Sequence, residues 1–273
     1  MRITKDMATF IDKEMATKLL DMNTNNRKVK KNNLDLLVYE LENGMFKFNG
    51  ESIIVSKSGV LLDGQHRLLA VEKTGVPIES IIVWDVEDNT FGTIDTGSSR
   101  SAYDVLNVNK IENYALKAKL AKMFILSNKG KGIDRRAKEY KITNDEILAF
   151  TKRNNDELDE VCKIATRYYQ KKKLLATSEI GFFWHIFSSE NRKMAELFFE
   201  AIFSGLFSSS KDPCYILRSK LEDDKMNKNL TLNTVTKHKM IAKAWNKFIA
   251  NEELTFLRIT ENEIIRFPEV KLK

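Results

Sequence analysis

Gly59-Val60-Leu61-Leu62-Asp63-Gly64-Gln65-His66-Arg67-Leu68-Leu69-Ala70-Val71-Glu72-Lys73-Thr74-Gly75 is the stretch from which the fold can be read. A short apolar run, Val60 to Leu62, has the character of a strand, and Leu68 to Val71 open an amphipathic helix that Gly75 ends. Between them Asp63 to Arg67 form the turn. A helix N-terminus presents unpaired backbone N–H groups and a partial positive charge, glycine allows close approach of the backbone, and arginine adds a planar fork of donors. The turn is chemically suited to phosphate.

Outward from this unit, Ser52 to Ser56 reads as a strand joined to Val60–Leu62 through Lys57-Ser58-Gly59, and Ser80 to Val86 as a third strand after the helix. Upstream, Met7, Phe10, Ile11, Met15, Leu19 and Leu20 recur at helical spacing, and a second helix runs from about Asn33 to Glu42. A short helix near Ala102 to Leu106 follows Thr93 to Arg100. Beyond residue 111 the pattern is helical only. Thr143 to Glu146 form a capping box, Thr177 or Ser178 caps an aromatic helix, and further helices fit Leu158–Lys171, Arg192–Phe203, Tyr215–Leu221 and Val235–Ala250. The expected fold is therefore α+β: a small mixed sheet with helices over residues 1–110, then an all-α domain over residues 111–273.

The chain has 273 residues, 42% of them hydrophobic, enough for a real core. Three His and two Cys, Cys162 and Cys214, are too few for a zinc cluster or a disulfide framework. With neither a signal sequence nor an apolar run of spanning length, the expected setting is the reducing cytoplasm, away from membranes. Residues 1–110 carry 14 Lys and Arg against 16 Asp and Glu, and residues 111–273 carry 31 against 22. The net charge of +7 thus comes from the second part. That asymmetry suits either a DNA-contacting segment or a solvated lysine-rich surface.

Three polar clusters sit at turns where they can converge: Asn23 to Arg27, Asp63 to Arg67, and Asp95-Thr96-Gly97 with Arg100. Turn formation alone accounts for the first, whereas the second favours function. Asp63, His66 and Asp95 are the candidate acid, base or metal-holding groups, with Asp63 or Asp95 able to hold Mg²⁺. Gln65 is not a nucleophile. Walker, Rossmann, zinc-protease and nucleophile-elbow motifs are missing, and His185, His238 and the phenylalanines between Phe182 and Phe207 read as core.

In order along the chain, the Asn23–Lys28 box, the helix ending at Gly44, strand Ile53–Val55, and Gly64-Gln65-His66-Arg67 with Ala70 resemble the N-terminal domain of ParB-like proteins, in the ParB and sulfiredoxin superfamily. The likeness covers about 108 residues. The whole chain is similar to phage and bacterial proteins carrying Asp-Gly-Gln-His-Arg, through the Asn-Arg box, the segment Ile94 to Ser101, and Ala244-Trp245-Asn246. The resemblance implies a nucleoside triphosphate, ATP or CTP, with Mg²⁺, and a nucleotide site of Asn23, Asn26, Arg27, Gly64, Gln65, His66, Arg67, Thr96, Gly97 and Arg100, with Asp95 on the metal. Gln65 stands where sulfiredoxin has its reactive Cys, which excludes sulfinic acid reduction. Three functions follow: a nucleotide-binding, DNA-associated protein, with a homodimer open; a phosphotransferase or nuclease using the same turn; or a regulatory or anti-defence protein-binding module.

Overall fold

The computed structural model describes residues 7–24, 29–94, 101–129, 141–226, 232–260, 263–270 and 272, without the side chains of 91–93. The chain divides into two compact units, Met1–Ser99 with Lys141–Thr143, and Arg100–Tyr140 with Asn144–Lys273.

In the first unit β1 (Thr9–Ile11), β2 (Ser52–Ser56), β3 (Leu61–Asp63) and β4 (Ile78–Val86) form one sheet in the order β1-β4-β2-β3. β2 pairs antiparallel with β3 across the Lys57–Gly59 turn and parallel with β4, while β1 pairs antiparallel with β4. A mixed sheet results. The parallel step from β2 to β4 requires a crossover, which β3 and α3 (Gln65–Thr74) supply. Alternation along β2 turns Ile53 and Val55 to one face, where Leu61, Ile78 and Ile11 join them. Against that face pack Ala16 and Leu19 of α1 (Lys13–Asp21), Val38 and Leu41 of α2 (Lys31–Glu42), and Leu68 and Val71 of α3.

The expected helix from Met7 to Leu20 is two elements. Asp12 interrupts the run: its carboxylate accepts the Met15 N–H at 2.9 Å and starts α1 there. The three residues before it pair with β4 and bury Ile11.

The second unit is helical: α4 (Ala102–Val108), α5 (Tyr114–Asn128), α6 (Asn144–Arg153), α7 (Asn155–Lys171), α8 (Thr177–Ser204), α9 (Pro213–Met226) and α10 (Thr234–Ile249). α4 packs on α5 and α6, so the division between compact units falls ahead of it rather than near residue 110. Phe182, Phe183, Phe187, Phe198 and Phe199 are buried, and Trp245 stacks on Phe187 at 4.4 Å between ring centroids. α8 bends at Asn191, whose side chain caps the half that follows by accepting the Met194 N–H at 3.1 Å. Neither Thr177 nor Ser178 caps α8. Ala176 holds the cap position, and its N–H donates to Glu179 Oε2 at 2.9 Å. The Glu179 carboxylate also meets His238 Nε2 at 3.0 Å and Lys237 Nζ at 3.2 Å, joining α8 to α10. These contacts hold it down at a pKa of about 2, against the opposing effect of burial. Among the described residues no helix is long and apolar enough to cross a membrane.

Candidate functional site

The turn at residues 63–67 is built by the elements on either side of it. Gly64 has φ +102°, and a Cβ there would lie 2.7 Å from Ile53 Cγ1 of β2. Only glycine meets both demands. The first backbone bond of α3 runs from the Leu68 N–H to the Gly64 carbonyl at 3.0 Å, so the amides of Gln65, His66 and Arg67 stand ahead of the helical ladder.

Arg67 turns inward and is 9% exposed. Its Nη1 donates to the Glu51 carbonyl at 2.8 Å, and its Nη2 donates to the Ser52 carbonyl at 2.8 Å and to Asp63 Oδ2 at 3.2 Å. The fork that the sequence offers to an anion is thus engaged by the chain's own oxygens at the head of β2. Asp63, last residue of β3, is one of those oxygens' owners, and with Arg67 it staples the start of α3 to the sheet. His66 serves another neighbour. Its Nε2 accepts the Lys30 N–H at 3.0 Å, which places the proton of the neutral ring on Nδ1 and ties the start of α2 to the start of α3. Gln65 differs: its Oε1 is buried without a hydrogen-bond partner among the described residues.

A cleft of about 490 Å³ opens at this point, with Asn33, Glu51, Ser52, Asp63, Gln65 and His66 on its wall. Gly64, Arg67 and Ile94 also line it. Its size is that of small-molecule sites, which span roughly 300–1,000 Å³. Two acidic residues, Glu51 and Asp63, line the cleft together with the first residues of α3, a mixed lining that suits an anion accompanied by a cation. Among the described residues no group of three or more His, Cys, Asp or Glu side chains is placed to hold a metal by itself.

Asn23 does not line the cleft. Its N–H donates to the Leu20 carbonyl at 2.9 Å, closing α1, and its buried Oδ1 has no partner among the described residues. The neighbouring Met22 carbonyl accepts the Leu61 N–H at 2.9 Å, which ties the end of α1 to the head of β3. Asn26, Arg27, Asp95, Thr96, Gly97 and Arg100 lie outside the described residues. Glu51, Ser52 and Asn33 are wall residues that sequence reasoning missed. Ser52 and Glu51 reach the cleft because β2 starts beside the turn, a placement set by strand pairing rather than by any local pattern.

No family model, no curated protein and no solved structure matches this chain.

Proposed function

We propose that the first unit binds a nucleoside triphosphate with Mg²⁺ at the start of α3, and that the basic helical unit brings the protein to DNA. The observation that carries the reading is the cleft itself, in which the first-turn amides of α3 lie beside Gln65, whose amide oxygen none of the described residues engages. The amides suit a phosphate oxygen, and Gln65 suits an N–H or O–H donor. A nucleotide carries both. Mg²⁺ would sit with Glu51 or Asp63 and supply charge neutralisation for the phosphates, in keeping with its habit of taking one or two carboxylates plus substrate oxygens.

Binding without chemistry is favoured over phosphoryl transfer. The Nε2 of His66 is engaged by the Lys30 N–H, Asp63 is paired with Arg67, and Gln65 cannot act as a base. The excess of Lys and Arg in residues 111–273 supports the DNA arm, since phosphate neutralisation dominates such affinity. Unpaired, buried Cys162 and Cys214 accord with a cytoplasmic setting.

Calorimetry of the intact protein against ATP, CTP and GTP with Mg²⁺ tests the nucleotide arm. Gln65→Glu keeps the side-chain shape and places a negative charge at a helix start that tolerates it, so the fold survives while triphosphate affinity falls about tenfold or more. Failure of all three nucleotides to bind would refute the proposal. For the DNA arm, duplex affinity must fall linearly on a log–log plot against salt, and a flat dependence would remove it.

A further inference from the structure

A second cleft, of about 750 Å³, lies wholly within the helical unit, where the first turns of α5 and α8 face one space. Asn113 starts α5 without a side-chain cap, and Ala176 has no side chain able to cap α8. The early amides of Tyr114 and Ala115, and of Thr177 and Ser178, precede the first intrahelical bonds, which begin at Leu116 and Glu179. Two helix dipoles therefore present their positive ends to the same volume. Lys119 lines it one turn further along α5 and takes part in no ion pair among the described residues. None of the residues on its wall is acidic. Two carboxylates adjoin wall residues in sequence: Glu179 is spent on the Ala176 N–H, Lys237 and His238, and Glu112 is an exposed residue that does not line the cleft.

Ser178 is the independent observation. It is 4% exposed, and the surface it retains is part of the cleft wall. Neither its amide nor its hydroxyl makes a hydrogen bond among the described residues. A residue so deeply set, with two donors that no described residue engages, keeps them for whatever enters the cleft. Tetrahedral oxyanions have acceptors on every side, and the positive helix ends and Lys119 select for negative charge.

We propose that this cleft binds a phosphate group, held by the amides at the starts of α5 and α8, the Ser178 hydroxyl and Lys119. Its source is either a free phosphate or a phosphodiester of the DNA backbone. The inference does not rest on nucleotide binding at α3, because the two clefts belong to different units and report through different amides.

Amide chemical shifts of the full chain, titrated with inorganic phosphate at constant ionic strength, decide the matter. Tyr114, Ala115, Thr177 and Ser178 shift together and saturate, while Gln65 reports separately on the first unit. Lys119→Glu weakens the saturation about tenfold or more, and Ser178→Ala about fivefold, in line with charge-assisted hydrogen bonds. Unchanged melting temperatures show that both variants fold. Non-saturating shifts, shifts scattered over exposed lysines, or equal affinity in Lys119→Glu overturn the proposal. A short duplex that moves the same four amides and competes with phosphate identifies a DNA backbone site. If phosphate saturates the cleft and the duplex leaves these amides unmoved, the site stands as one for free phosphate.

Discussion

Replacing Arg67 separates a framing role from a ligand-binding one. In Arg67→Ala the Glu51 and Ser52 carbonyls lose guanidinium donors at 2.8 Å each, and Asp63 loses its partner at 3.2 Å. The Glu51 carbonyl keeps the Ser80 hydroxyl at 3.1 Å, and Asp63 has 31% of its side chain in solvent, so both losses are partly made good. The Ser52 bond is the costliest. Hydrogen bonds from a charged donor contribute ~1.5–3 kcal/mol, and with the partial losses the variant should be destabilised by about 3 kcal/mol. Because the head of β2 is what Arg67 holds, the effect concentrates there: amide exchange at Ile53, Ile54 and Val55 should accelerate roughly 100-fold under native conditions. Arg67→Lys retains the charge but not the fork, reaches one oxygen rather than several, and should lie about halfway. Triphosphate affinity of Arg67→Lys, measured where the protein remains folded, should stay within about threefold of the parent. Unchanged protection in β2 together with lost nucleotide binding would refute this reasoning and make Arg67 a ligand contact.

Gly64→Ala must accommodate a Cβ 2.7 Å from Ile53 Cγ1 at φ +102°, which should cost about 2–4 kcal/mol in urea unfolding, with partial recovery in Gly64→Ala/Ile53→Val. The Glu179 carboxylate, held at about 2 instead of 4.5, contributes about 3 kcal/mol to the helical unit at neutral pH. A lowered folded-state value means the contribution is complete above pH 4.5 and is lost as pH falls towards 2, so acid unfolding of Glu179→Gln should be markedly flatter across that window. Burial pushes the Cys162 thiol up to about 11 and the Cys214 thiol higher still, so neither should react with a thiol reagent at pH 8 until denaturant is added.

Much of the N-terminal architecture is legible because its signals are local. Ser52–Ser56 alternates over a full strand, and Gly64 and Gly75 bracket α3. Where a signal depends on a distant partner it disappears. The three residues of β1 cannot be told from a helical turn by spacing, and their pairing with β4 is decided about 70 residues away. The helical pattern beyond residue 111 does not mark the bounds of α5, because Lys117, fully buried in its middle, breaks the apolar stripe. Its Nζ is satisfied by Asp159 at 2.8 Å and Asn155 at 2.8 Å, both on α7. Arg67 shows the same limit within the candidate site. Its residue type suggests a phosphate fork, but Glu51 and Ser52 lie 16 and 15 residues back, and only the folded sheet brings their carbonyls to it.

The five residues from Asp63 to Arg67 therefore divide by physical duty. Asp63, Gly64 and Arg67 hold the turn: a carboxylate and a guanidinium lock α3 to the sheet, and a glycine passes where no Cβ fits. His66 fastens the start of α2 through the Lys30 amide. Of the five, only Gln65 has a buried side-chain polar atom without a partner among the described residues. Change at 63, 64 or 67 should be read out first as stability, and change at 65 as ligand choice. A motif whose framing positions are so demanding can keep its sequence while the chemistry at one position, 65, is retuned. For that reason the identity of residue 65 bears more on function than that of Arg67, the residue that looks most like a phosphate ligand.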